Sequence, residues 1–230
     1  MPQPTIDRIV AEEILDSRGQ PTVRATVIMT DGQRASATVP AGASTGSHEA
    51  HELRDGVGRY HGRGVLRAVE HVNTTIHQAL RGTAVDAQAD IDRRLIELDG
   101  TPDRSRLGAN AILSVSLACA RTASLVRRQP LYAYLRERYD LPAAKTFPKP
   151  MCNILNGGKH ADNRISFQEF MVLPNGQTFA VQLERAAAVA EALKQLLIER
   201  RDRTLVGDEG GFAPLLKTNE EGLQLLTAAT

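Results

Sequence analysis

Three prolines within ten residues, Pro142, Pro148 and Pro150, constrain this chain more than any other feature. Proline fixes φ and removes a backbone donor, so neither a helix nor a central strand can run through residues 141–150. A chain of 230 residues interrupted there must build its apolar cores on either side. The expected division is a first domain over residues 1–140, a Pro-rich linker over 141–150 and a second unit over 151–230.

The first part reads as strands followed by helices. Thr22–Met29 and Arg34–Val39 are β-type runs joined by Asp31-Gly32, and Asp-Gly is a hairpin signal because glycine supplies the positive φ of a tight turn. Val65, Val69, Val72, Ile76 and Leu80 recur at helical spacing and stop at Gly82. Asp86 is placed to cap a second helix that carries Ile91, Leu95 and Leu98 and closes at Gly100. A third runs from Ala109 to Val126, apolar enough to be buried on several sides, and Pro130 opens a short helix through Tyr139. Beyond the linker come two short apolar runs, Met151–Leu155 and Phe167–Leu173, then a helix from Thr178 to Glu199. A glycine-rich loop at Val206–Pro214 and a helix from Glu220 complete the chain.

Composition excludes several classes. The chain is 42% apolar and 24% charged, which excludes wholesale disorder. A net charge of +1 without a basic block argues against a nucleic-acid partner. No run approaches the roughly 18 consecutive apolar residues of a membrane span, and the first residues show no apolar signal segment. Two cysteines, Cys119 and Cys152, form neither a disulfide framework nor a ligand spacing, so a reduced, cytoplasmic setting is expected.

Four loops could carry chemistry. Gly42-Ala43-Ser44-Thr45-Gly46 fits the nucleophile-elbow pattern, but Pro40 intervenes and the strand before it belongs to a hairpin. The hydrolase context is missing, and a small-residue loop of this kind serves equally as a surface loop or a mobile lid. His160 stands beside Gly157-Gly158 after a strand, a setting that raises its weight as a site residue over a structural histidine. Strand alternation sets Phe167, Glu169 and Met171 on one face and Gln168, Phe170 and Val172 on the other. A carboxylate among such residues is expected to be paired or to have a perturbed pKa. Asp208 and Glu209, bracketed by Gly207, Gly210 and Gly211, suit acid–base work or a cation, although a plain turn would look the same.

Taken in order, these segments resemble the enolases, the glycolytic phosphopyruvate hydratases. The resemblance rests on Asp16-Ser17-Arg18-Gly19 with Pro21-Thr22-Val23, Val39–Gly46 with His48-Glu49, and Leu107–Leu113. Asn156-Gly157-Gly158 with His160-Ala161, Gln168–Met171 and Val206–Ala213 extend it over the second part. It implies an α/β fold: an α+β capping domain, then the opening of a modified (β/α)8 barrel that begins with two antiparallel strands. It also implies a lyase that reversibly dehydrates 2-phospho-D-glycerate to phosphoenolpyruvate with two Mg²⁺.

The same resemblance assigns roles. Glu209 resembles the general acid that assists departure of the hydroxyl, and Glu169 its partner in the proton network. His160 resembles the loop histidine that closes over substrate, and Gln168 a substrate-contacting side chain. Ser44 resembles the lid serine that ligates the second Mg²⁺, with Ala43 a substrate contact beside it.

A barrel of this kind takes about 250 residues, far more than the stretch after residue 150 supplies. The family's remaining Mg²⁺ ligands, its lysine base and its phosphate-binding arginine lie on later strands, where no position of this sequence stands for them. This chain alone is therefore expected to be inactive, and not well folded beyond its first domain. It reads as a fragment, as half of a split enzyme awaiting a complementing chain, or as a non-catalytic binding module. Enolases commonly carry Arg and Glu where Glu12 and Arg24 stand, positions that join dimer salt bridges, so the usual homodimer contact is reversed in sign here.

Overall fold

The computed structural model describes residues 4–42, 45–143, 146–207 and 209–230. Its contacts divide the chain into two units, Met1–Ala143 and Ala144–Thr230.

The first unit is built on a three-stranded antiparallel sheet of β1 (Ile6–Leu15), β2 (Pro21–Met29) and β3 (Arg34–Val39), in that order. Asp31 shapes the β2–β3 turn by accepting from the Gln33 amide at 3.0 Å. Alternation along β2 buries Val23, Ala25, Val27 and Met29 on one face. Against that face packs α4 (Ala109–Val126), whose Ala111, Val115, Ala118 and Cys119 are fully buried. α4 is the one helix among the described residues long and apolar enough to cross a membrane, and its apolarity is spent on this core. Burial reaches around most of the helix, with Ala120, Thr122 and Ser124 also buried, and leaves one exposed stripe of Leu113, Leu117 and Leu125.

The helix expected over Val65–Leu80 forms as α1 (Leu66–His71), one widened π turn (Val72–Ile76) and α2 (His77–Leu80). Its first amides are capped by carboxylates from elsewhere, Glu13 accepting from Val65 at 2.8 Å and Asp55 from Arg67 at 3.0 Å. From the widened turn Asn73 clasps the outer edge of β1, accepting from the Ala11 amide at 2.7 Å and donating to its carbonyl at 3.1 Å. His77 accepts from the Ile9 amide at 3.2 Å through Nδ1.

The capping role expected of Asp86 is not observed. α3 (Gln88–Asp99) starts at Ala87 with no side-chain cap, because the Asp86 carboxylate is taken by Arg127 at 3.0 Å. α3 does close at Gly100, which adopts the left-handed conformation. A short α5 (Leu131–Arg138) follows Pro130 and buries Tyr134.

In the second unit β4 (Cys152–Asn156) and β5 (Glu169–Val172) pair antiparallel, with Asn156 opposite Glu169. α6 (Phe179–Glu199) and α7 (Asn219–Ala228) are capped by Thr178 and Thr218, whose hydroxyls accept from Val181 and Glu221. Their inward residues Leu193, Leu197, Leu225 and Leu226 join Ile154, Leu155 and Phe170 in a separate core. Phe212 forms a parallel bridge with Leu155, setting a third segment beside β4. The described residues contain no closed barrel.

Candidate active site

The site residues of the second unit gather where β4 ends and β5 begins. After Asn156 the chain turns through Gly157 and a single helical turn, Gly158–His160. Gly157 is required by packing, since a Cβ there would stand 2.3 Å from the Phe167 carbonyl and 2.4 Å from Ile165. Gly158 adopts φ +54 and faces Gln168, whose Cγ would lie 2.8 Å from an added Cβ. The Asn-Gly-Gly run thus lets the His160 turn press onto the strand that carries Gln168 and Glu169.

His160 is buried, only 7% exposed, although it sits on a loop. Its Nε2 lies 3.3 Å from the Gln168 amide nitrogen, and its Nδ1 lies 3.8 Å from Glu169 Oε1. With the amide donating, Nε2 is the acceptor and the ring proton sits on Nδ1, facing the carboxylate. The 3.8 Å separation is an electrostatic pairing rather than a hydrogen bond. Glu169 does not carry the burial cost expected from its apolar neighbours. It faces outward with its side chain 33% exposed, because Phe170 takes the buried side of β5.

Glu209 lies on the loop after Gly207. That loop is closed by the Gly207 amide donating to the Gly211 carbonyl at 2.8 Å. It packs on the His160 turn so tightly that a Cβ on Gly207 would lie 2.2 Å from the His160 carbonyl. Glu209 is exposed and makes no hydrogen bond to His160, Gln168 or Glu169 among the described residues. Asp208 lies outside the described residues. A cleft of about 310 Å³ opens beside this corner, lined by Lys159, His160, Asp162, Arg203, Gly207 and Ala213 among others.

In the first unit, Ala43 and Ser44 lie outside the described residues, but the segments on either side of them are held. Arg18 donates to the Ala41 carbonyl, and the Gly46 amide donates to Glu49 at 2.7 Å. Asp16 braces Arg18 from 3.9 Å and accepts from the Arg18 and Gln20 amides at 2.8 and 2.9 Å. Burial pushes the Asp16 carboxyl up, but these bonds and the neighbouring guanidinium outweigh it and hold the group below its ordinary range.

The structure therefore brings together His160, Gln168 and Glu169, and places the Glu209 loop against the same turn. Sequence reasoning missed the two asparagines that organise this corner. Asn163 donates to the Asn156 carbonyl at 3.0 Å and to the Pro214 carbonyl at 3.3 Å. Asn156, completely buried, bonds to both neighbouring segments. The signal available in the sequence was Asn156 standing directly before a glycine pair.

Comparison with known proteins matches residues 6–135 to the enolase N-terminal domain and residues 144–230 to the enolase C-terminal TIM barrel domain. A curated enolase of Wolinella succinogenes is 52% identical over 225 residues, covering 97% of this chain and 52% of that protein. The chain spans about half the length of the curated relative it matches. With both domain models collinear along it and the His160, Gln168 and Glu169 motifs converging at one corner, this chain belongs to the enolase family.

Proposed function

We propose that this chain supplies the leaving-group side of an enolase-type site, for reversible dehydration of 2-phospho-D-glycerate to phosphoenolpyruvate. The observation that carries the reading is the buried His160 held between Gln168 and Glu169, with the Glu209 loop packed on the same turn. Elimination needs an acid where the hydroxyl departs, since hydroxide is a poor leaving group. Exposed Glu209 can protonate it, Glu169 and His160 can take up and return the proton, and Gln168 can orient the substrate. Lys159 and Arg203 line the adjacent cleft and can meet an anionic substrate, with Asp162 4.0 Å from the Arg203 guanidinium. The base that removes the other proton belongs to later strands in the family.

The family's Mg²⁺ stabilises charge that develops on the substrate carboxylate. Among the described residues no three His, Cys, Asp or Glu side chains are grouped to hold a metal, and Ser44 lies outside them.

On the same reading β4, β5, α6 and α7 are the opening of the modified (β/α)8 barrel, and Phe212 beside Leu155 marks its third strand. The contact division near residue 143 supports a capping domain over 1–140, a linker over 141–150 and a barrel segment over 151–230. The two free cysteines fit a cytoplasmic setting. The partner is a complementing chain that carries the later strands, or a second copy of the assembled enzyme.

The test is formation of the enol phosphate from 2-phosphoglycerate, followed by ultraviolet absorbance with excess Mg²⁺. The chain alone is expected to be silent and to gain activity when a separate polypeptide supplies the later barrel strands. Turnover by the chain alone would overturn the half-site reading. Silence after complementation would overturn the assignment of the activity.

A further inference from the structure

Asn156 is completely buried, and each of its four polar groups is directed at a different part of the corner. Its amide donates to the Phe212 carbonyl at 2.8 Å, on the segment that leaves the Glu209 loop. Its carbonyl accepts from Asn163 at 3.0 Å. Its Nδ2 donates to the Gln168 carbonyl at 3.2 Å, which also receives the Gly157 amide at 2.9 Å. Its Oδ1 faces the glycine loop, where a Cβ on Gly211 would stand 2.6 Å from that oxygen and one on Gly207 3.3 Å from it. The side chain thus lies between two segments far apart in sequence, one carrying Gln168 and Glu169, the other Glu209.

We propose that Asn156 is a positioning residue that sets the His160–Gln168–Glu169 cluster and the Glu209 loop in one register. The proposal rests on the reading of that cluster as the reacting site. The physical argument is one of rigidity. A primary amide is planar, so a shift of its Nδ2 with the Gln168 carbonyl must carry Oδ1 against Gly207 and Gly211. Tight packing transmits that movement rather than absorbing it. Glycine at 211 leaves room for the amide to seat, and glycine at 207 lets its loop close on the His160 carbonyl.

Side-chain NMR of the full chain tests this without any turnover. The readouts are the His160 ring nitrogens, which report the tautomer, and the Gly207 and Gly211 amides. Asn156→Ala is expected to abolish the preference for the Nδ1–H tautomer and to shift both glycine amides. Asn219→Ala is the control, because Asn219 accepts from the Ser166 and Phe167 amides at 3.1 and 3.0 Å and so holds the segment that leads into the same strand without touching Asn156 or the glycine loop. It is expected to leave Gly207 and Gly211 unmoved.

Should Asn156→Ala fail to fold, Gly211→Ala approaches from the opposite segment. Its added methyl meets Asn156 and Leu155 and is expected to change the His160 ring signals. A folded Asn156→Ala with unchanged glycine amides, or a folded Gly211→Ala with an unchanged His160 ring, would overturn the proposal. Failure of the complementation assay with these shifts present would remove the enolase activity and leave the positioning intact.

Discussion

Glu12 and Arg24 stand directly opposite each other in the β1–β2 register, and the guanidinium donates two hydrogen bonds, at 2.6 and 2.9 Å, to one carboxylate oxygen. Both charges are thereby satisfied within one chain. The two side chains remain 57% and 43% exposed, so solvent screens the pair. A double-mutant cycle with Glu12→Ala and Arg24→Ala should give a coupling of roughly 0.2–1 kcal/mol by urea unfolding. The coupling should shrink at high salt; a salt-independent value would contradict an electrostatic pair.

Acid should loosen the first unit through Asp99. This buried carboxylate accepts from the Thr101 amide at 2.9 Å and the Leu107 amide at 2.7 Å, as well as from the Thr101 hydroxyl. Burial pushes its pKa up, but the three bonds outweigh burial and hold it below the usual 3.8. Its stabilisation is therefore complete above 3.8 and is lost as pH falls through the lower folded value. Asp99→Asn should cost about 1–3 kcal/mol near neutral pH and flatten the acid limb of the urea midpoint against pH.

Gly157→Ala should destabilise the second unit by about 1–3 kcal/mol or prevent its folding, because the new methyl meets a carbonyl and Ile165 together. Circular dichroism and hydrogen exchange resolved by residue would place the loss in β4 and β5. A native exchange pattern there would refute the close packing on which the His160 turn depends.

Thiol labelling should separate the two cysteines. Cys119 is fully buried in the first core, where burial, aided by Asp92, pushes its thiol up to about 12. Cys152 is partly exposed. Iodoacetamide should modify Cys152 in the native chain and reach Cys119 only on unfolding, as read by mass spectrometry. Equal native rates would show that the first core opens.

In a complemented enzyme, Glu209→Gln and Glu169→Gln should each reduce turnover by about 10²–10⁴, the usual contribution of a positioned acid or base. Steady-state kinetics would show the loss mainly in kcat. A loss confined to KM would assign these carboxylates to binding.

Much of the fold could be read directly, because its signals are local. Asp31-Gly32 marks the hairpin, Ala109–Val126 matches its apolar run, and the helices expected from Thr178 and Glu220 begin within one residue of those positions. The widened turn at Val72–Ile76 escaped notice because Val69, Val72, Ile76 and Leu80 satisfy helical spacing with or without it. Asp86 misled for a different reason: a nearby helix start and a distant guanidinium compete for one carboxylate, and Arg127 won. At the site, neighbouring glycines drew attention to His160 and Glu209, strand alternation to Glu169, and the family resemblance to Gln168. The convergence of these segments depends on Asn156 and Asn163 bonding to backbone far away in sequence, and no periodicity encodes such bonds.

The clasp of Asn73 and His77 on β1 also bears on how the chain behaves among other chains. Asn73 and His77 stand about one turn apart on this helix, and it serves alternate β1 positions, Ala11 and Ile9. Gly82 and Thr83 extend the cover by exchanging hydrogen bonds with Ile6 at 2.8 and 3.0 Å. An exposed strand margin is a template on which foreign or identical strands can grow. At Ile6, Ile9 and Ala11 that template is already occupied, which protects this side of the sheet from runaway self-association.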